Sequence, residues 1–278
     1  MSYKIVVDSC CELPEELRED KRFETVPLSL SVGDYHILDD DDFDQAEFLH
    51  KVSEYPECPK SSCPSPERFI QAFGTAAERV YVITLSSKLS GSYNSAKLAV
   101  NLFREENGEK KIHVFDSESA SGGETQIALK IMELEEAGLS FEEIVEKVET
   151  FRNSVHTYFV LDNLETLRKN GRLSAVKALV ASTLSIKPIM AGCKGMIMQK
   201  AQCVGMKKAL SRLGELLAAD LRDVRDRCLI ISHCNAPERA ELIKKLILAK
   251  TEFKRVIILN TKGVSSMYAN DGGIIVTA

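Results

Sequence analysis

Seven hydroxyl side chains crowd the stretch VITLSSKLSGSYNSAKLAV at 82–100: Thr84, Ser86, Ser87, Ser90, Ser92, Tyr93 and Ser95. Such a group suits two kinds of chemistry. It can bind an anion, because the first N–H groups of a helix lack partners and carry the positive end of its dipole. Alternatively, one hydroxyl can attack an ester, which requires a base and an orienting acid beside it. VYVITL has the β-branched and aromatic composition of a buried strand, while Ala96, Ala99, Val100 and Phe103 recur at helical spacing. Ser90 and Gly91 therefore fall on a strand-to-helix turn, where an anion is welcome and where a serine is also ordinary N-cap punctuation. For the serine hydrolase alternative, acting on a lipid or ester, the turn reads LSGSY rather than G-x-S-x-G. None of the histidines at 36, 50, 113, 156 and 233 has an obvious acid partner, and His233, at a strand end in ISHCN, is the best candidate base.

A second hydroxyl pair, Ser61 and Ser62 in PKSSCPSPERFIQAF, reads as a loop ahead of a helix that starts with Ser65 at N-cap and Pro66 at N1. In a parallel α/β sheet, turns leaving the carboxyl ends of strands gather along one edge, and ligands bind in the crevice there. If both turns lie on that edge, Ser61, Ser62, Ser90 and the Gly91 N–H converge on one anion.

The elements that must position these groups follow from periodicity. Strand-like runs occur at KIVVDS, ETVPLSLSV, RVYVITL and KIHVFDS, with helical patterns between most of them. The last helix of this part is SFEEIVEKVETF, opened by a Ser140 to Glu143 capping box. Beyond it come TYFVLDN, SIKPIMA, MIMQKAQCV, RCLIISHC, RVIILNT and GGIIVTA, interleaved with helices at about 163–170, 174–184, 206–221 and 236–250. The expected fold is α/β in two domains: 1–152 with a largely parallel sheet, and 153–278 with a mixed sheet in which GCKGMIMQKA turns into an antiparallel strand. ASGGE at 120–124 is read as a place of close helix approach. In LDDDDFDQAEF, Asp42 or a neighbour is expected to cap the following helix rather than to bind calcium.

The chain has 278 residues, is 44% hydrophobic and carries a formal net charge of −5. With no long basic run, it offers no footprint for nucleic acid or an anionic membrane. The start reads as neither signal peptide nor span, and no apolar segment is long enough to cross a bilayer, so a cytoplasmic protein without stable membrane insertion is expected. The eight cysteines (10, 11, 58, 63, 193, 203, 228 and 234) include no C-x-x-C pair and read as reduced thiols, mostly buried in strands. No metal or other cofactor is expected. G-x-G-x-x-G and P-loop patterns are absent, which argues against a nucleotide enzyme.

DSCCELP, SSCPSPERF, TLSSKLSGSYNSAKLA, VFDSESASGGE, LRKNGRLS and SIKPIM occur in this order, and together the chain resembles the DegV family over essentially its whole length. The resemblance implies a two-domain α/β protein without catalytic residues that binds one long-chain fatty acid between its domains. The carboxylate is held by hydroxyls, the acyl chain is buried, and the protein presents its ligand to a separate fatty acid kinase subunit that makes acyl phosphate. By the same resemblance, Ser61 and Ser62 match the family's Thr-Ser pair, Ser90 with Gly91 its head-group Ser-Gly, and Arg172 the arginine of its Gly-Arg motif, beside the site. Tyr268, in SMYANDGG, stands where the family commonly has a histidine; a phenol donates a hydrogen bond but lacks the charge of an imidazolium.

Overall fold

The structure, a computed structural model, describes residues 2–174, 185–221 and 224–278. Strands β1 (Tyr3–Asp8), β2 (Phe23–Val26), β6 (Arg79–Thr84) and β7 (Lys111–Asp116) form an all-parallel sheet in the order β2-β1-β6-β7. Every residue of β6 is buried, as a strand covered on both faces must be. On one face, Val6, Val80 and Val82 pack against α3 (Pro66–Phe73) and α4 (Ser92–Asn107). On the other, Ile5, Tyr81, Ile83 and Phe115 pack against α5 (Gly122–Glu136) and α6 (Phe141–Arg152). The Ser140–Glu143 capping box at the start of α6 is present as expected.

ETVPLSLSV is not one strand. Pro27 cannot donate to a ladder, and the chain divides there into β2 and β3 (Ser29–Val32), which belong to different sheets. β3 centres a small antiparallel sheet with β4 (Tyr35–Leu38) and β5 (Lys60–Ser62). Ser61 and Ser62 thus lie on an edge strand opposite Leu30 and Ser29, not in a loop. The helices α1 (Glu15–Arg18) and α2 (Gln45–Glu54) complete this part. Asp44 caps α2, accepting from the Glu47 N–H at 2.9 Å.

The third sheet is mixed, in the order β10-β9-β8-β13-β11-β12. Its strands are β8 (Thr157–Val160), β9 (Ile186–Cys193), β10 (Met196–Val204), β11 (Cys228–His233), β12 (Arg255–Asn260) and β13 (Ile274–Thr277). Only β11 and β12 pair in parallel. β9 and β10 form the expected hairpin, whose two turn residues, Lys194 (φ 48°) and Gly195 (φ 77°), are left-handed as a tight hairpin requires. One face of this sheet is covered by α8 (Met206–Asp220) and α9 (Pro237–Leu248), and α7 (Glu165–Lys169) follows β8. A further helix, α10 (Gly263–Ala269), has no counterpart among the sequence expectations. The helix expected at 174–184 lies, apart from Ser174, outside the described residues.

Helix α5 is shared between the parallel and mixed sheets. A β-carbon on Gly122 would lie 2.7 Å from Ile230 Cγ2 and 2.8 Å from Thr277 Oγ1, so this glycine lets the helix start abut β11 and β13. The thiols are all free, but their placement differs from expectation: Cys10, Cys11 and Cys234 are buried outside strands, while Cys193, Cys203 and Cys228 are in strands and half-buried.

Candidate functional site

Between these sheets lies a cavity of about 330 Å³, within the size range of small-molecule sites. Its walls are largely apolar, with Leu28, Leu85, Leu161, Phe159, Ile197 and Ile275 among them. Strand alternation explains the wall from β8: Tyr158 and Val160 face α8 and α9, whereas Thr157 and Phe159, with Leu161 just beyond the strand, line the cavity.

All six residues singled out in the sequence, Ser61, Ser62, Ser90, Gly91, Arg172 and Tyr268, line this cavity. Contacts tie them to one another. Ser61 Oγ and Tyr268 Oη are 3.1 Å apart in a hydrogen bond. The Arg172 guanidinium lies 5.9 Å from the centroid of the Tyr268 ring and donates through Nε to Leu89 O at 3.1 Å. Cys63, next to Ser62, packs so closely on Gly91 that a β-carbon there would lie 2.9 Å from its sulfur. The turns therefore do converge, although they do not share the edge of one sheet: Ser90 follows β6 of the parallel sheet and Ser61 belongs to the small antiparallel one.

Each turn has a local cause. Gly91, not Ser90, is the N-cap of α4, and it is already helical (φ −77°). Ser90 stands one residue earlier, where its Oγ accepts from the Ser92 N–H at 3.2 Å and pairs with Ser92 Oγ at 3.1 Å. Gly171 (φ 75°) is the C′ residue of α7, as expected, with its N–H on Arg168 O and the Arg172 N–H on Leu167 O, a Schellman closure that fixes where Arg172 leaves the helix. Tyr268 is carried by α10, and its phenol is pushed above its usual value by burial, opposed by the Ser61 hydrogen bond and the Arg172 charge.

Two other hydroxyls of the 82–100 stretch make structural hydrogen bonds. Ser86 donates to Gly195 O at 2.8 Å and so fastens the β9–β10 hairpin tip to the turn before α4. Ser95 donates to Pro64 O at 2.6 Å. His233, the last residue of β11, accepts at Nδ1 from the Ala236 N–H at 3.2 Å, and no histidine is among the described residues that line the cavity.

Sequence reasoning missed another stretch of the wall. There Glu118, Ser119 and Ser121 line the wall with Thr157. Among the described residues lining the cavity, Arg172 is the one basic residue and Glu118 the one acidic residue. A carboxylate is thus favoured beside Arg172 and Tyr268 rather than beside Glu118. SESAS at 117–121 carries positive φ at Glu118 (50°) and Ser121 (56°), conformations that composition does not disclose.

Comparison with known proteins agrees with this architecture. The sequence model of the DegV family matches residues 2–278. A DegV domain-containing protein of Streptococcus pyogenes serotype M1 is 38% identical over 282 residues, covering 99% of this chain and 98% of the relative. The crystal structure of a DegV family protein from Ruminococcus gnavus with vaccenic acid superposes with a TM-score of 0.97 at 52% identity, covering 100% of this chain and 99% of that one. The Streptococcus pneumoniae Fatty Acid Kinase (Fak) B3 protein loaded with linoleic acid superposes with a TM-score of 0.87 at 30% identity, over 100% and 99% of the two chains. With its whole length matched by the family model and its parallel and mixed sheets superposing on those of solved relatives, this chain belongs to the DegV family.

Proposed function

We propose that this chain binds one long-chain fatty acid, with its carboxylate at Ser61, Ser62, Ser90, Gly91 and Tyr268, Arg172 beside it, and its acyl chain along the apolar wall. The observation that carries this reading is the make-up of the cavity: a hydrogen-bonded cluster of hydroxyls with a guanidinium beside it is set into otherwise largely apolar walls. Burying about 15 methylenes at roughly 0.8 kcal/mol each contributes a gross term on the order of 12 kcal/mol, against roughly 1.5–3 for a hydrogen bond to a charged group. The chain supplies affinity and the hydroxyls supply orientation.

The protein is in this reading a cytoplasmic carrier without catalysis of its own. Domains 1–152 and 153–278 close on the ligand between them, and a separate kinase subunit receives the carboxylate; the likeness to a Fatty Acid Kinase B3 protein supports that partner. Among the described residues no helix is long and apolar enough to cross a membrane.

Protein purified from a bacterial host, denatured and extracted with organic solvent, is expected to release one fatty acid per chain by mass spectrometry. It is also expected not to hydrolyse a chromogenic ester. Turnover that disappears in Ser90→Ala would instead establish a hydrolase.

A further inference from the structure

Besides the hydroxyl cluster, the cavity wall carries a further polar spot, made by Cys10, Ser121 and Ser265. The Ser121 N–H donates to Cys10 Sγ at 3.4 Å, and Cys10 Sγ lies 3.8 Å from Ser265 Oγ. Glu12 stands behind them, 2% exposed, with Ser121 Oγ bonded to its Oε2. Burial raises the Glu12 carboxyl to about 7, and Ser121, Ser232 and Ser265 each lower it, so all three hydroxyls are close to it. Ser265 reaches the cavity from α10, where it shares a helix face with Tyr268 and Ala269 at i, i+3 and i+4.

The spot is short of hydrogen bonds. Among the described residues, Ser265 Oγ has the Cys10 thiol as its one hydrogen-bond contact, and a thiol is a weak partner. Glu12 Oε1 is buried with no hydrogen-bond partner among them. Another hydroxyl pair in this wall differs: Ser119 Oγ and Thr157 Oγ1 satisfy each other at 2.7 Å. A plain acyl chain laid over Ser265 leaves its hydroxyl against methylenes, which is destabilising, and a wall for hydrocarbon alone is better lined there by alanine.

We propose that Ser265, backed by Glu12, is a subsite for a hydroxyl carried on the acyl chain, so that monohydroxylated fatty acids are ligands of this cavity; the proposal rests on the fatty-acid reading above. A chain hydroxyl both donates and accepts. At Ser265 it donates to the Ser265 oxygen or to Glu12 Oε1 and accepts the Ser265 hydrogen, which restores the bonds it gives up on leaving water. Against Leu28, Leu85, Phe159 or Ile275 it finds none, and the loss stands uncompensated. The subsite therefore selects the position of the hydroxyl along the chain as well as its presence.

The test sets each of a series of hydroxystearic acids, differing in the carbon that bears the hydroxyl, in competition with stearic acid for the intact protein. Native mass spectrometry separates the two complexes by the mass of one oxygen. Wild-type protein is expected to prefer one position, with an occupancy relative to stearic acid about tenfold above that of the other isomers. In Ser265→Ala that preference is expected to disappear while stearic acid binds more tightly, because a methyl group replaces the hydroxyl; a purely structural role would move both ligands the same way. Cys10→Ser gives Ser265 a strong partner within the protein and is expected to blunt the preference; it decides the matter if Ser265→Ala takes no ligand. Isomers that all lose to stearic acid alike, or a preference that persists in the variants, would overturn the subsite alone. Wild-type protein that takes neither stearic acid nor any isomer would overturn the fatty-acid reading, and the subsite with it.

Discussion

Tyr268 stands where the resemblance to the family puts a histidine, and a phenol in that place has a consequence for pH. Its phenol is buried, bonded to Ser61 and held above the ordinary value of 10, so it stays neutral through the physiological range. An imidazole in the same place would change charge near about 6.5. Fatty-acid affinity is therefore expected to stay flat between about pH 5.5 and 8 after correction for ionisation of the ligand itself. Tyr268→Phe keeps the ring and removes only the donor. It is expected to weaken binding by roughly 1.5–3 kcal/mol, measured by titration with a fluorescent fatty acid. Unchanged affinity would remove Tyr268 from the head-group site and leave the serines to hold the carboxylate.

Two helix starts decide how the elements meet at the cavity. The first belongs to α10, which carries Tyr268. The buried Asp39 carboxylate accepts from the N–H groups of Gly263 at 2.7 Å and Val264 at 2.8 Å and from Ser9 Oγ at 2.9 Å. Burial pushes its pKa up to about 6, against the lowering by those N–H donors. The acidic run at 38–48 thus serves two helices, α2 through Asp44 and α10 through Asp39, and only the first was legible in the sequence because the second lies more than 200 residues away. The second helix start is that of α5, pressed against β11 and β13 at Gly122. Gly122→Val is expected to overpack this contact and cost about 1–3 kcal/mol, read as a lower urea midpoint. A midpoint equal to that of the wild type would show that the helix start has room to move.

Across the whole molecule, a buried polar chain connects the parallel-sheet half to the mixed sheet. Glu12 contacts Ser121 Oγ, which lies 2.9 Å from Ser232 Oγ on β11. Burial raises Glu12 to about 7, against the lowering by its serine partners. A serine hydroxyl has one hydrogen, so a protonated Glu12 donating to Ser121 lets Ser121 donate onward to Ser232. The linkage has a definite sign. A carboxyl raised from 4.5 to about 7 on folding holds its proton longer in the folded state. Its contribution is complete below the unfolded value and is lost as pH rises through the folded one. Burial lowers His156 and His233, which act in the opposite direction, so the measurement is a difference. The stability of wild type relative to Glu12→Gln is expected to fall, by on the order of 2–3 kcal/mol, between about pH 5 and 8. A gap that does not change with pH would show that Glu12 is not the proton holder.

Local signals in the chain were sufficient for what depends on near neighbours. The capping box at Ser140, the Pro66 helix start, the Gly171 closure and the Lys194–Gly195 hairpin each rest on residues within one turn of each other, so their physics is written in short stretches. Strand and helix periodicity similarly carried the parallel and mixed sheets. Ser61 as an edge strand, α10, and the wall of Glu118, Ser119 and Thr157 were beyond that reach. Ser61 is a strand residue only because β3 pairs with it, and α10 is seven residues of small and mixed side chains started by a distant Asp39. The wall exists because SESAS adopts two left-handed residues and meets the first residue of β8. Hydroxyl content along the chain was visible in the sequence. Which hydroxyls face one cavity is a matter of contacts between residues as far apart as Ser61 and Tyr268, and only packing decides those.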